Sequence, residues 1–84
     1  MAYEIQEQDM GIALRHLREL VDRTPVYQRD KKVYHEGRDS YSWYDLMLEV
    51  ERGTDFGRRW VGTLVSAARH DGLDLQSYLE GSRQ

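Results

Sequence analysis

Three sets of residues in this chain could do chemistry: three histidines, a serine behind a glycine-led turn, and a run of cations interleaved with tyrosines. Catalysis by histidine needs a ring that is oriented by a carboxylate and faces a nucleophile. His16, His35 and His70 have acids nearby, but none stands in a spacing that implies a triad, a phosphate loop or a metal site. His16 belongs on a solvated helix face, His70 at a helix end where a cation complements the dipole, and His35 sits in a loop beside Glu36, so the chain reads as non-enzymatic. With no cysteine there is no thiolate metal site. The run Tyr27, Arg29, Lys31, Lys32, Tyr34 and Arg38 combines cations that neutralise phosphates with rings that stack on bases, as a single-stranded nucleic-acid site requires. Yet Asp30, Glu36 and Asp39 are interspersed, and tyrosine and arginine also dominate protein–protein hot spots. Another protein is therefore the expected partner, met by Tyr27, Arg29, Lys31, Lys32, Tyr34, Arg38, Tyr41 and Trp43, with nucleic acid as the lesser alternative.

The serine lies in Gly37-Arg38-Asp39-Ser40. As local chemistry, Asp39 and Ser40 form an Asx-type turn leading into a helix. The same four residues, with Tyr41, Tyr44, Asp45, Leu46, Met47, Val50 and Glu51 after them, resemble the acyl or peptidyl carrier proteins, small four-helix domains with a Gly-x-Asp-Ser turn at the start of the second helix. The resemblance implies that Ser40 carries phosphopantetheine, whose thiol holds a growing chain as a thioester. Outside that resemblance no cofactor is expected.

The elements that must position these residues are helices. Met10, Ala13, Leu14, Leu17, Leu20 and Val21 recur at helical spacing behind Asp9 as the expected cap, and Pro25 ends the helix near Arg23. Ser42 and Asp45 form a capping box for Trp43, Leu46, Met47 and Val50, and Gly53 stops that helix. Thr54 or Asp55 caps the next, which runs to His70 with Phe56, Trp60, Val61, Leu64, Val65 and Ala68 on one broad face. Glycine inside a helix costs roughly 1 kcal/mol relative to alanine, so Gly62 predicts a close helix approach or a kink. Asp71-Gly72 stops the helix, and Asp74 caps a short last one bearing Leu75, Tyr78 and Leu79. Val26-Tyr27 and Val33-Tyr34 flank a polar turn, so residues 26–36 form either a small hairpin or an irregular loop. Tyrosines 27, 34 and 41 stand seven apart, a spacing that fits no single helix or strand face and reads as coincidence or shared packing.

The expected architecture is all-α: three long helices and a short C-terminal one in a single domain spanning 1–84, with an N-terminal arm at 1–8 and a frayed tail at 81–84. A chain of 84 residues has a small core, burying somewhat over about 60% of what its unfolded form exposes. No apolar run approaches the roughly 20 residues of a membrane span, and no basic stretch followed by an apolar one opens the chain, which points to a cytoplasmic protein. A net charge of −3 is too small for a polyanion mimic and lacks the basic footprint of a dedicated nucleic-acid binder. Small inhibitors, immunity proteins and accessory proteins of mobile elements share this size and composition.

Overall fold

The computed structural model describes residues 5–81. Among them, helices α1 (Glu7–Arg23), α2 (Trp43–Arg52), α3 (Asp55–His70) and α4 (Leu75–Gly81) surround one core, and strands β1 (Tyr34–Glu36) and β2 (Asp39–Tyr41) form an antiparallel hairpin between α1 and α2. The fold is therefore mostly helical, as expected, with a small two-stranded sheet beside the helices, and α2, at 10 residues, is not one of three long helices. Residues 1–4 of the expected arm and 82–84 of the expected tail lie outside the described residues, whereas Glu7 and Gln8 belong to α1 and Gly81 to α4, which shortens both.

Each helix starts and stops for a local reason. α1 begins earlier than expected: Gln6 is the cap residue, and Asp9 stands in the first turn, accepting the Gln6 amide at 3.0 Å. Its apolar stripe buries Ala13, Leu17 and Val21, and Thr24 closes the end by donating its hydroxyl to the Leu20 carbonyl at 2.6 Å. The capping box of α2 is formed in both directions. The Asp45 amide donates to Ser42 Oγ at 3.1 Å and the Ser42 amide to Asp45 Oδ2 at 2.9 Å, on a serine only 3% exposed. Gly53, at φ +64°, takes the left-handed conformation that closes a helix without a Cβ clash. Thr54 is then the cap of α3, accepting the Gly57 amide at 3.0 Å, and Asp74 caps α4 by accepting the Ser77 amide at 2.7 Å.

The core joins Ala13 and Leu17 of α1, Leu46 and Val50 of α2, Val61 and Val65 of α3, and Leu75 and Leu79 of α4. Trp60, assigned to the core from its spacing, is half-buried and packs against this cluster, as does Trp43. The close helix approach expected at Gly62 occurs instead at Gly57. A Cβ there would meet the Glu49 carbonyl, with its carbon only 2.6 Å away, so the start of α3 rests directly on the backbone of the last turn of α2. Gly62 is buried, but a Cβ on it would touch nothing within 4 Å.

The hairpin corrects the expectation for residues 26–36. Val26–Gln28 is a 3₁₀ turn, not a strand, because Pro25 fixes the entry and its carbonyl accepts the Gln28 amide at 2.8 Å. The strands lie further on, paired Tyr34 to Tyr41, His35 to Ser40 and Glu36 to Asp39 around Gly37-Arg38. Gly37 has φ +61°, the left-handed first position that a tight two-residue hairpin turn of this kind asks of glycine. The seven-residue separation of Tyr34 and Tyr41 follows from that turn, since these two residues face each other across the strands.

Candidate binding face

A two-stranded hairpin is marginal in water by itself, and this one is held by its inner face. Tyr41 stacks on Phe56 of α3, with ring centroids 4.3 Å apart and planes 10° from parallel, while Tyr34 packs on both rings at 6.3 and 6.2 Å. Arg59 binds the Glu36 carboxylate at 2.8 Å and lies 5.8 Å from the Phe56 ring, tying strand β1 to α3 at the surface. Burial raises the Tyr41 hydroxyl pKa above its ordinary value, helped by the negative charges of Asp39, Glu49 and Glu36. Tyr34, Tyr41 and Trp43, expected to meet a partner, are thus half-buried and spend much of their surface on packing within the chain.

Lys32 is also engaged internally. Its ammonium lies 2.9 Å from Asp45 Oδ2, the same oxygen that accepts the Ser42 amide. The Asp45 carboxyl is held below the usual carboxylate range, first by that backbone hydrogen bond and then by Lys32. One side chain thereby joins the cap of α2 to the segment leading into β1.

What remains outward is the 3₁₀ turn and its surroundings. Val26 is 76% exposed and Tyr27 84% exposed, yet the turn that carries them is well bonded. The Arg29 amide donates to the Val26 carbonyl at 3.3 Å, the Lys31 amide to the Gln28 carbonyl at 3.0 Å, and Arg29 Nε to the Thr24 carbonyl at 3.3 Å. Burying apolar surface contributes about 25 cal/mol per Å², and these two side chains forgo nearly all of it. Val33, which enters β1, and Tyr44, in the first turn of α2, are the other large apolar residues exposed along this connection. Arg29, Lys31 and Arg38 are exposed around it. Of the residues expected from sequence, Tyr27, Arg29 and Lys31 are therefore brought together on one turn, and Arg38 stands apart at the hairpin tip. Val26, Val33 and Tyr44 were missed. Tyr44 falls off the Trp43–Leu46–Met47–Val50 stripe, which was a readable sign of exposure, whereas Val26 and Val33 looked like strand residues.

The outer face of the hairpin carries a serine and a histidine. Ser40 Oγ and His35 Nδ1 are 3.0 Å apart across the strands, and both residues are exposed. A nucleophile beside a base can begin acyl or phosphoryl chemistry, but that arrangement also needs a group to orient the base. Among the described residues, no carboxylate hydrogen-bonds to His35. Ser40 belongs to a strand, not to a turn opening a helix, and the residue that caps α2 is Ser42.

Among the described residues no group of three or more histidine and carboxylate side chains could hold a metal ion, and no helix is long and apolar enough to cross a membrane. Two open grooves, one between α1 and α4 and one where α1 meets the α2–α3 junction, hold about 160 and 280 Å³. Both fall short of the roughly 300–1,000 Å³ of small-molecule sites. Comparison with protein-family models, with curated proteins and with solved structures finds no match to this chain.

Proposed function

We propose that this protein acts without catalysis, by binding another protein through the face centred on the Val26–Tyr27 turn. The observation that carries the reading is order without burial: two large apolar side chains are held outward by a proline, backbone hydrogen bonds and an arginine tether. A turn that served only to connect α1 to β1 would gain by being polar. Rigid presentation lowers the ordering cost of association, which is where preorganised anchors gain affinity. The role fits a small inhibitor, immunity or accessory protein. Single-stranded nucleic acid is disfavoured because Tyr34 and Tyr41 pack against Phe56, leaving Tyr27 as the exposed ring on the turn that carries Arg29 and Lys31. The test is affinity capture from the source organism with wild-type protein and a Val26→Ser/Tyr27→Ala double variant. A partner retained by the first and lost by the second, at unchanged thermal stability, supports the reading. A partner retained equally by both refutes this face.

A second reading, in which Ser40 is a phosphopantetheine attachment site, draws on one observation, the exposed hydroxyl. Its attachment serine would lie on a strand, two residues before the cap of α2, and not at a helix start. Incubation with coenzyme A and a broad-specificity phosphopantetheinyl transferase tests it by intact mass. A gain absent from Ser40→Ala supports it, and no gain removes it.

A further inference from the structure

Resting on the binding face just proposed, we infer the chemistry of its partner: an acidic segment of another protein that carries a large apolar side chain among its carboxylates. The stretch 22–32 that carries the turn holds four cations, Arg23, Arg29, Lys31 and Lys32, and two acids, Asp22 and Asp30, for a net of +2. The whole chain is −3, so the other residues together carry −5. The ion pair of Lys32 with Asp45 from α2 lowers this excess without removing it. Arg23, Arg29 and Lys31 then stand against Asp22 and Asp30, a net of +1. Arg23 and Arg29 stand three residues before and after Val26, Lys31 follows, and Arg29 is tied to the turn by its bond to the Thr24 carbonyl.

A basic rim beside an apolar centre on an otherwise acidic protein selects in two ways. It attracts a segment with carboxylates, and the −5 elsewhere repels the same segment from other faces, so the encounter is steered to the turn. The apolar centre then requires something for Val26 and Tyr27 to pack on, which a bare polyanion does not provide. A second copy of this chain would bring its own net-positive rim against this one, so self-association through the same face is opposed.

The experiment uses the full-length, ¹⁵N-labelled protein and three probes: a random copolymer of glutamate and tyrosine, one of lysine and tyrosine, and an oligothymidylate. The glutamate–tyrosine copolymer should shift the amides of residues 26–32 and bind more weakly as salt rises, because surface charges are screened beyond about 10 Å at 0.1 M. Lys31→Glu, which leaves the Arg29 tether in place, should weaken that binding by about fivefold or more, with thermal unfolding unchanged. Three results overturn the inference. Tighter binding of the lysine–tyrosine copolymer at the same amides would keep the face but reverse the partner's charge. Tighter binding of the oligothymidylate would replace protein by nucleic acid. Failure of the glutamate–tyrosine copolymer to shift residues 26–32 would remove the acidic partner, whereas the face itself is judged separately by the Val26→Ser/Tyr27→Ala capture.

Discussion

Gly57→Ala and Gly62→Ala make the same chemical change in the same helix, and the structure requires opposite effects on stability. At Gly57 an added Cβ collides with the Glu49 carbonyl, with its carbon at 2.6 Å and the Val50 nitrogen at 3.0 Å, where ordinary contact begins near 3.4 Å. These are backbone atoms and cannot rotate aside. The Glu49 oxygen also accepts the Thr54 amide at 3.2 Å, so separating the helices strains the cap between them. Overpacking of this kind costs typically about 1–3 kcal/mol and sometimes more, against a helix-propensity gain of roughly 1 kcal/mol. Because backbone must move, a net loss of about 2 kcal/mol is expected, or a melting temperature lower by about 8–16 °C for a domain of this size. At Gly62 and at Gly11 a Cβ meets nothing within 4 Å, so alanine should stabilise by about 0.4–1 kcal/mol by restricting the unfolded chain. Urea unfolding followed by helical circular dichroism measures each midpoint, and an unchanged slope shows that stability alone has changed. Equal signs for Gly57→Ala and Gly62→Ala would refute the placement of α3 against α2.

Other consequences follow from the caps, the hairpin and the exposed turn. Ser42→Ala removes a buried cap and should cost about 1–2 kcal/mol, whereas Lys32→Ala, at an exposed pair, should cost at most about 1 kcal/mol; both are read by urea unfolding. Asp45 and Asp74 have carboxyl groups lowered in the folded state by amide donors from Ser42 and Ser77 respectively. Their contribution is present above the ordinary carboxylate value of 3.8 and is lost as pH falls through the lower folded values. Melting temperature should therefore decline below about pH 4, less steeply in Asp45→Asn. Tyr41 acts at the other limit: its raised hydroxyl value gives stability that is present below pH 10.0 and lost as pH climbs through the folded value, and tyrosinate absorbance should show a late component that Tyr41→Phe removes. Phe56→Ala removes the ring that holds Tyr41 and Tyr34, at a cost of about 2–3 kcal/mol for a half-buried phenylalanine, and should speed amide exchange in β1 and β2 before α1.

The helices were legible because their signals are local. Ser42 with Asp45, Gly53 before Thr54, and Asp74 before Leu75 each combine a cap residue with an apolar period, and the starts of α2, α3 and α4 fall where they put them. The start of α1 was misplaced because Asp9 can act from the first turn as well as from the cap. The hairpin was misread for a tertiary reason. Val26-Tyr27 has strand propensity, but Pro25 and the Gln28 amide close a 3₁₀ turn there. The true strands are polar at His35, Glu36, Asp39 and Ser40, and they exist because Tyr34 and Tyr41 find Phe56, 15 residues beyond Tyr41 in sequence. The same long-range contact withdrew Tyr34 and Tyr41 from the expected partner surface. Nothing local in the sequence distinguishes Gly57, which rests on the backbone of α2, from Gly62, where a Cβ would touch nothing within 4 Å.

Order without burial at the Val26–Tyr27 turn is the claim on which the binding face depends, and ¹⁵N relaxation of the free protein tests it most directly. Amides of residues 26–31 should have order parameters close to those of α1 and α2, near about 0.85. Values below about 0.6 at Val26 and Tyr27 would contradict the claim, because the two side chains would then belong to a mobile connection and not to a surface presented to a partner.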